Sequence, residues 1–509
     1  MLISKELLPK SLGIGCATLL LGLVANAQTD SSAPRESEIP GHPGLAARVD
    51  AMAQPLVEDG LTVGMVIGVL QGEQAWIRGY GEIALGKGQR PGANTIYEIG
   101  SVSKVFTGIL LADAEERGLV SLDDPVGDVL VDELEFPLFE DQPIRFWHLS
   151  THTSGLPRLP GNLIFNDLED PYADYTIELL YEFLEGYKLR RAPGETFAYS
   201  NLGVGLLGNC LANVQDLTYE QLLAERIAGP LGLKSTGIEL SESMKARLAS
   251  GYDVDQQPKS NWSMPAFNGA GGIRSDMTDM LRFARANLHP EETPIEDALL
   301  LAQKIRHQDE SGPDLSWSGH GAQVCLGWFP ASGGATRWHN GQTGGYHTYL
   351  AIWPDKDCAV ALFANTTWGH MTSCADSVLL MLVGEEPHTI EYEKPIALPR
   401  EDLEAFVGEY KLSFLAKMSV TLEADGLWAQ VTLQPKLRLY ASSPDTFFYR
   451  AVEAEVHFKK DDQGQVSGLE IHQGGTVTQG ERQNTIKKPE DADPPPPVKK
   501  GARESDRRR

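Results

Sequence analysis

Tyr97-Glu98-Ile99-Gly100-Ser101-Val102-Ser103-Lys104 places a hydroxyl and an amine three residues apart at the entry to a helical pattern. The apolar residues Val102, Val105, Phe106, Ile109 and Leu110 recur at i, i+3, i+4, i+7 and i+8, and Gly118 follows as a stop signal. The spacing predicts an amphipathic helix buried along one face and entered by a tight turn at Gly100. Ser101 then sits in the first turn, where unpaired N–H groups and the helix dipole favour negative charge. Lys104 falls one turn on, on the same face. A serine hydroxyl is a weak nucleophile at neutral pH, and a neighbouring amine can take its proton or hold another base ionised. Ser-x-x-Lys alone arises by chance about once or twice in a chain of this length, and serine is a common helix N-cap. The whole octapeptide is far more specific than the pair.

It resembles the active-site signature of class C β-lactamases and of their relatives among the D-alanyl-D-alanine peptidases and esterases. The resemblance implies a mixed α/β (α+β) fold, the serine β-lactamase/DD-peptidase fold with an antiparallel sheet flanked by helices, and two further motifs downstream. Pro193-Gly194-Glu195 breaks the chain ahead of Phe197-Ala198-Tyr199-Ser200-Asn201, and a helix start at Leu202 puts Tyr199 and Asn201 on a loop. In the family a Tyr-x-Asn motif here faces the nucleophile. A phenol has a pKa near 10, and an ammonium such as Lys104 beside it would stabilise phenolate, which suits Tyr199 to general base or proton relay. Asn201 would donate to a substrate amide carbonyl and accept from Lys104.

The third motif lies in Trp338-His339-Asn340-Gly341-Gln342-Thr343-Gly344-Gly345-Tyr346-His347-Thr348. Relatives carry Lys-Thr-Gly or His-x-Gly there, on an edge strand lining the site, and this chain has His339-Asn340-Gly341. Gly341 is expected to let the substrate backbone approach closely, and the N–H groups of Ser101 and Gln342 to form an oxyanion hole. A lysine at 339 would offer a permanent charge to a substrate carboxylate. Histidine is mostly neutral at pH 7 and weakens that recognition. A fourth segment of the resemblance, Leu149-Ser150-Thr151-His152-Thr153-Ser154-Gly155-Leu156-Pro157, carries His152, which in a Ser/Thr-rich turn is expected to tie down backbone groups rather than to catalyse.

Working outward, the chain of 509 residues is long enough for a large core plus an appendage. Its net charge of -26 argues against nucleic acid as a partner. Lys5 and Lys10 precede an apolar run over 12–24 that ends at Ala25-Asn26-Ala27, the pattern of a cleavable secretory signal peptide over 1–27. Secretion or a periplasmic location follows, and no later stretch is long and apolar enough to span a bilayer. Cys210, Cys325, Cys358 and Cys374 remain in the mature chain, where disulfides are allowed and buried free thiols are the alternative. Cysteines and histidines show no metal-ligand spacing, and no cofactor or metal is expected.

Residues 28–43 read as a flexible lead-in and 44–384 as the hydrolase domain. A helix over 45–56 and a hairpin of 61–70 with 74–80 open that domain. The glycine-rich stretch Gly269-Ala270-Gly271-Gly272-Ile273-Arg274-Ser275 lacks the spacing of a dinucleotide site and leads into a helix over 276–288 with Ser275 as its cap. Runs 349–354 and 358–365 read as strands. A linker over 385–400 gives way to six short alternating runs within 401–484, which read as a small all-β barrel or sandwich resembling the lipocalin-like C-terminal domain of some family members. Residues 485–509 read as a disordered tail. The expected protein is an exported serine hydrolase of the class C β-lactamase type, acting on a β-lactam, a D-amino-acid peptide or an ester. D-alanyl-D-alanine carboxypeptidase, D-aminopeptidase or esterase activity is the alternative, and a non-catalytic binder of cell-wall fragments the reading from another class. A homo-oligomer is left open.

Overall fold

The computed structural model describes residues 38–130, 134–313 and 321–483. The expected signal peptide, the first part of the lead-in and the expected tail lie outside these residues. Strands β1 (Gly64–Gln71) and β2 (Gln74–Gly81) form the predicted hairpin, with Gln71 opposite Gln74. Four later strands join them: β3 (Phe329–Ala331), β4 (Thr336–Gln342), β5 (His347–Trp353) and β6 (Cys358–Ala364). The order is β3-β4-β5-β6-β1-β2, antiparallel throughout, so β1 from the start of the domain pairs with β6 from its end.

Both faces of this sheet are covered, which is why its central strands read as nearly continuous apolar runs. Met65, Ile67 and Val69 pack with helices α1 (Leu45–Glu58) and α5 (Met371–Val383), beside Val360 and Leu362. Val66 and Leu70 point the other way, with Ala361 and Phe363, toward α2 (Ser103–Glu116) and α4 (Met277–Leu288). The alternation is the period of two that a pleated strand imposes.

Helix α2 departs from the expected one-faced burial, since every residue from Ser103 to Ala112 is buried. Helices pack around it on several sides, and Phe106 stacks on Phe283 of α4 at 4.1 Å between centroids. The Leu326 carbonyl lies 2.1 Å from where a Cβ on Gly108 would be, so this turn accepts no side chain at all. Asp276, not Ser275, caps α4: its carboxylate accepts from the Asp279 N–H at 2.9 Å, an acceptor the sequence offered one residue later than expected. Cys210, Cys325, Cys358 and Cys374, the four cysteines among the described residues, are buried as free thiols, and burial raises each of them.

The C-terminal domain is a closed eight-stranded barrel: β7 (Gly408–Lys411), β8 (Lys417–Glu423), β9 (Gly426–Val431), β10 (Lys436–Ala441), β11 (Thr446–Phe448), β12 (Ala454–Lys460), β13 (Val466–Gln473) and β14 (Thr476–Gln483). Phe406, Tyr410, Met418, Phe447 and Phe458 fill its core. The barrel docks on the hydrolase domain through Arg450, whose guanidinium donates to the carbonyls of Asp59 and Gly60 at 2.6 and 2.7 Å, just past the C-terminus of α1.

Candidate active site

Ile99 N–H donates to the Ile273 carbonyl and Thr348 Oγ1 donates to the Ile99 carbonyl at 2.7 Å, which fastens the chain to the sheet just before the nucleophile turn. Gly100 then takes a positive φ of 51°, and a Cβ there would meet the Gln342 nitrogen at 2.7 Å. Only glycine combines that dihedral with such a close approach. Ser101 follows in a short 3₁₀ turn, Gly100–Val102, that runs into α2, as predicted for the first turn of a helix.

Lys104 Nζ lies 2.9 Å from Ser101 Oγ and donates to the Ala270 carbonyl at 2.6 Å. The lysine is 1 % exposed, and burial, with the nearby Arg158 charge second, holds its ammonium well below the usual lysine range. A shift in that direction favours the uncharged amine, which has a lone pair. Tyr199 lies beside Ser101 in the cleft, and its ring centroid is 4.9 Å from Lys104 Nζ. Burial works against the expected stabilisation of phenolate: it pushes the Tyr199 phenol up to about 12, and Ser101 and the Arg158 charge oppose this only in part. The same desolvation disfavours the charged form of each group, which favours a protonated phenol and an uncharged amine.

Asn201 is the first residue of helix α3 (Asn201–Val214) rather than a loop residue; Ser200 caps the helix by accepting from the Gly203 N–H at 2.8 Å. The expected Lys104–Asn201 bond is replaced by the one from Lys104 to Ala270, and Asn201 Oδ1 is buried without a partner among the described residues. His152 does what a turn histidine was expected to do. Its ring stacks on Tyr199 at 4.3 Å, its Nδ1 accepts from the Ser200 N–H at 3.1 Å, and its carbonyl accepts from Ala198.

Strand β4 forms the opposite wall. It is not the edge of the sheet, because β3 covers it, but the pairing with β3 stops at Trp338 and leaves Asn340 to Gln342 without a neighbour on that side among the described residues. Gly341 has a role in the fold as well: a Cβ there would sit 2.0 Å from the Ile99 carbonyl, so glycine is what lets the nucleophile turn lie on the strand. His339 is 1 % exposed, stacked on Phe329 at 4.8 Å, and burial pushes its imidazole down to about 3. It is neutral, and a carboxylate finds no charge there.

The walls enclose a cleft of about 450 Å³ lined by Ser101, Tyr199, Asn201 and 340–343, and also by Arg158, Tyr172 and Trp262. The last three were not legible in the sequence. Arg158 directly follows the recognised 149–157 segment, whereas Tyr172 and Trp262 carry no spacing signal. Tyr172 meets Trp262 edge-on at 5.3 Å, and Glu98 of the octapeptide accepts from the Trp262 N–H at 2.9 Å while pairing with Arg274 at 3.0 Å. Thr343 Oγ1, like Asn201 Oδ1, is buried at this site without a partner among the described residues.

The sequence profile of the Beta-lactamase family matches residues 49–385, and the chain belongs to that family. A profile described as "Domain of unknown function (DUF3471)" matches 393–485, over the barrel. The D-alanyl-D-alanine-carboxypeptidase/endopeptidase AmpH of Escherichia coli K12 is 30 % identical over 357 residues, covering 67 % of this chain and 90 % of that protein. A beta-lactamase of Yersinia enterocolitica is 27 % identical over 353 residues, covering 64 % and 87 %. Penicillin-binding protein 4* of Bacillus subtilis is 26 % identical over 392 residues, covering 72 % and 83 %. A solved β-lactamase/D-alanine carboxypeptidase from Yersinia pestis, complexed with citrate, shares the fold with a TM-score of 0.56 at 24 % identity, covering 67 % of this chain and 99 % of that one. The chain is thus a hydrolase of the serine β-lactamase/DD-peptidase fold.

Proposed function

We propose that this protein forms an acyl-enzyme at Ser101 with amide or lactam carbonyls and hydrolyses it, as an exported hydrolase of the class C β-lactamase type. The observation that carries the proposal is Ser101 Oγ placed 2.9 Å from a desolvated Lys104 amine, with the Tyr199 phenol lining the same cleft. Ser101 gives its proton to Lys104 Nζ and its oxygen attacks the carbonyl carbon. The N–H groups of Ser101 and Gln342, brought together by Gly100, hold the tetrahedral oxyanion. As the C–N bond breaks, Tyr199 protonates the leaving nitrogen and the Lys104 ammonium returns a proton to Tyr199. Water then attacks the ester with Lys104 as base, and Ser101 leaves with its proton restored. Asn201 and Thr343, whose buried oxygens lack partners among the described residues, supply bonds to the substrate amide.

A D-alanyl-D-alanine carboxypeptidase is the second reading, favoured by the name that the AmpH relative bears. The basic start, apolar run and Ala25-Asn26-Ala27 site support export, and no helix among the described residues is long and apolar enough to cross a membrane. The test is intact mass of the protein incubated with a penicillin, with the drug assayed alongside and Ser101→Ala as control. Loss of drug with scarce adduct marks a β-lactamase, and lasting adduct on the wild type alone marks a peptidase-like penicillin binder. An unmodified wild type with intact drug refutes acylation by β-lactams. If an active-site serine probe also leaves Ser101 untouched, the protein is a binder without catalysis.

A further inference from the structure

Among the ten residues that line the cleft, Arg158 alone carries a full charge. Its backbone is pinned: the Arg158 carbonyl accepts from the N–H groups of Asn201 and Leu202 at 3.0 and 3.2 Å, which fastens it to the first turn of α3. Its side chain is the opposite case. The guanidinium carbon lies 5.0 Å from the Tyr199 ring centroid, and the side chain makes no hydrogen bond or ion pair with the described residues. A guanidinium offers five donors in a planar fork matched to a carboxylate, and stacking on an aromatic face holds the fork without using those donors. The other basic groups near the serine are withdrawn from this task. Lys104 is buried beneath Ser101, and His339 is buried against Phe329 and neutral.

We infer that Arg158 is the residue that anchors a substrate carboxylate in this site, from the helical wall rather than from the strand position where relatives carry lysine. The inference rests on the acyl-serine reading above and names the substrate class: acyl donors bearing a carboxylate one tyrosine ring away from the nucleophile. The chain as a whole carries a net charge of -26, which repels anions at long range, so a local cation is needed to hold one. The carboxylate can belong to the acyl group or to the leaving group, and the experiment separates the two.

Three matched N-acylglycyl thioesters serve as substrates: one with a carboxylate on the acyl group, one with it on the thiol leaving group, and one with a carboxamide in both places. Release of thiol gives kcat and KM. Wild type is expected to prefer one of the acids to the neutral compound by about tenfold or more in kcat/KM, the size of a charge-assisted hydrogen bond. Arg158→Gln should bring that ratio close to one, mainly through KM, while Arg158→Lys keeps part of it. Because the ratio is taken within each variant, any general damage divides out. The acid that is preferred identifies the side of the bond on which the carboxylate sits. A wild-type ratio near one, or an Arg158→Gln ratio equal to that of wild type, overturns the inference while turnover of the neutral thioester leaves the hydrolase reading standing. No reaction with any thioester and no labelling of Ser101 by a fluorophosphonate would overturn both.

Discussion

Gly341→Ala tests whether the nucleophile turn depends on contact with strand β4. An alanine Cβ would lie 2.0 Å from the Ile99 carbonyl and 2.5 Å from Thr348 Oγ1, two atoms already joined by a hydrogen bond of 2.7 Å. Ordinary contact begins near 3.4 Å, so turn and strand must part by roughly 1.4 Å. Neither neighbour is the free end of a flexible side chain, and the displaced carbonyl is two residues before Ser101. Overpacking of this kind costs about 1–3 kcal/mol. A shift of about 1 Å in a reacting atom can lower the rate by roughly a hundredfold. The expected variant is therefore folded, about 2 kcal/mol less stable by urea unfolding, and about a hundredfold slower in fluorophosphonate labelling of Ser101. Gly186→Ala is the control: Gly186 ends the helix Ile177–Gly186 with open space around it, so stability should hold or rise slightly. A Gly341→Ala protein within about 0.5 kcal/mol and threefold of wild type would refute the reasoning, for the close approach would then be dispensable.

Because burial holds the Lys104 ammonium well below the usual lysine range, the labelling rate of Ser101 should reach its plateau at a lower pH than an exposed lysine would allow and fall on the acid side. A rate that climbs steadily up to pH 10 would mean a charged lysine instead. Stability should also fall with acid. His148 and His347 are pushed down to about 4 and His339 to about 3, so below pH 6.5 the unfolded chain binds protons that the folded chain refuses. The contribution is complete above pH 6.5 and is lost progressively toward pH 4, by about 1 kcal/mol per histidine between pH 6.5 and 5.5. Urea unfolding at those two values should show the loss, and His347→Gln should shrink it; equal stability at both would contradict the burial argument. Arg450→Ala removes the donors that hold the barrel to Asp59 and Gly60, and should lower stability by about 1–3 kcal/mol and speed proteolysis between 385 and 400, whereas unchanged cleavage would show that the docking does not depend on them.

Local pattern was enough wherever the physics is local. The hairpin of β1 and β2 follows from two apolar runs around Gly72, and the helix after Ser101 from its 3.6-residue period. Ser101, Lys104, Tyr199, Asn201 and His339 to Gln342 were identified from three short motifs, and the fold brings them to one cleft or its walls. In the barrel six of the eight strands were visible. Strand β7 has only four residues, and β14, Thr-Val-Thr-Gln-Gly-Glu-Arg-Gln, is too polar and exposed to show an alternation.

The tertiary structure decided matters of environment. The sequence by itself determined which groups could act: a hydroxyl, an amine, a phenol, an amide and an imidazole, in a known order along one chain. It did not determine their charges, because a pKa depends on how much water each group loses, and that is a property of packing between segments far apart in sequence. Burial lowers Lys104 and His339 and raises Tyr199, so the uncharged form of each is favoured. It also assigned Gly341 to the contact with Ile99 and brought Arg158, Tyr172 and Trp262 to the cleft, since close approaches between distant backbones leave no mark on local periodicity.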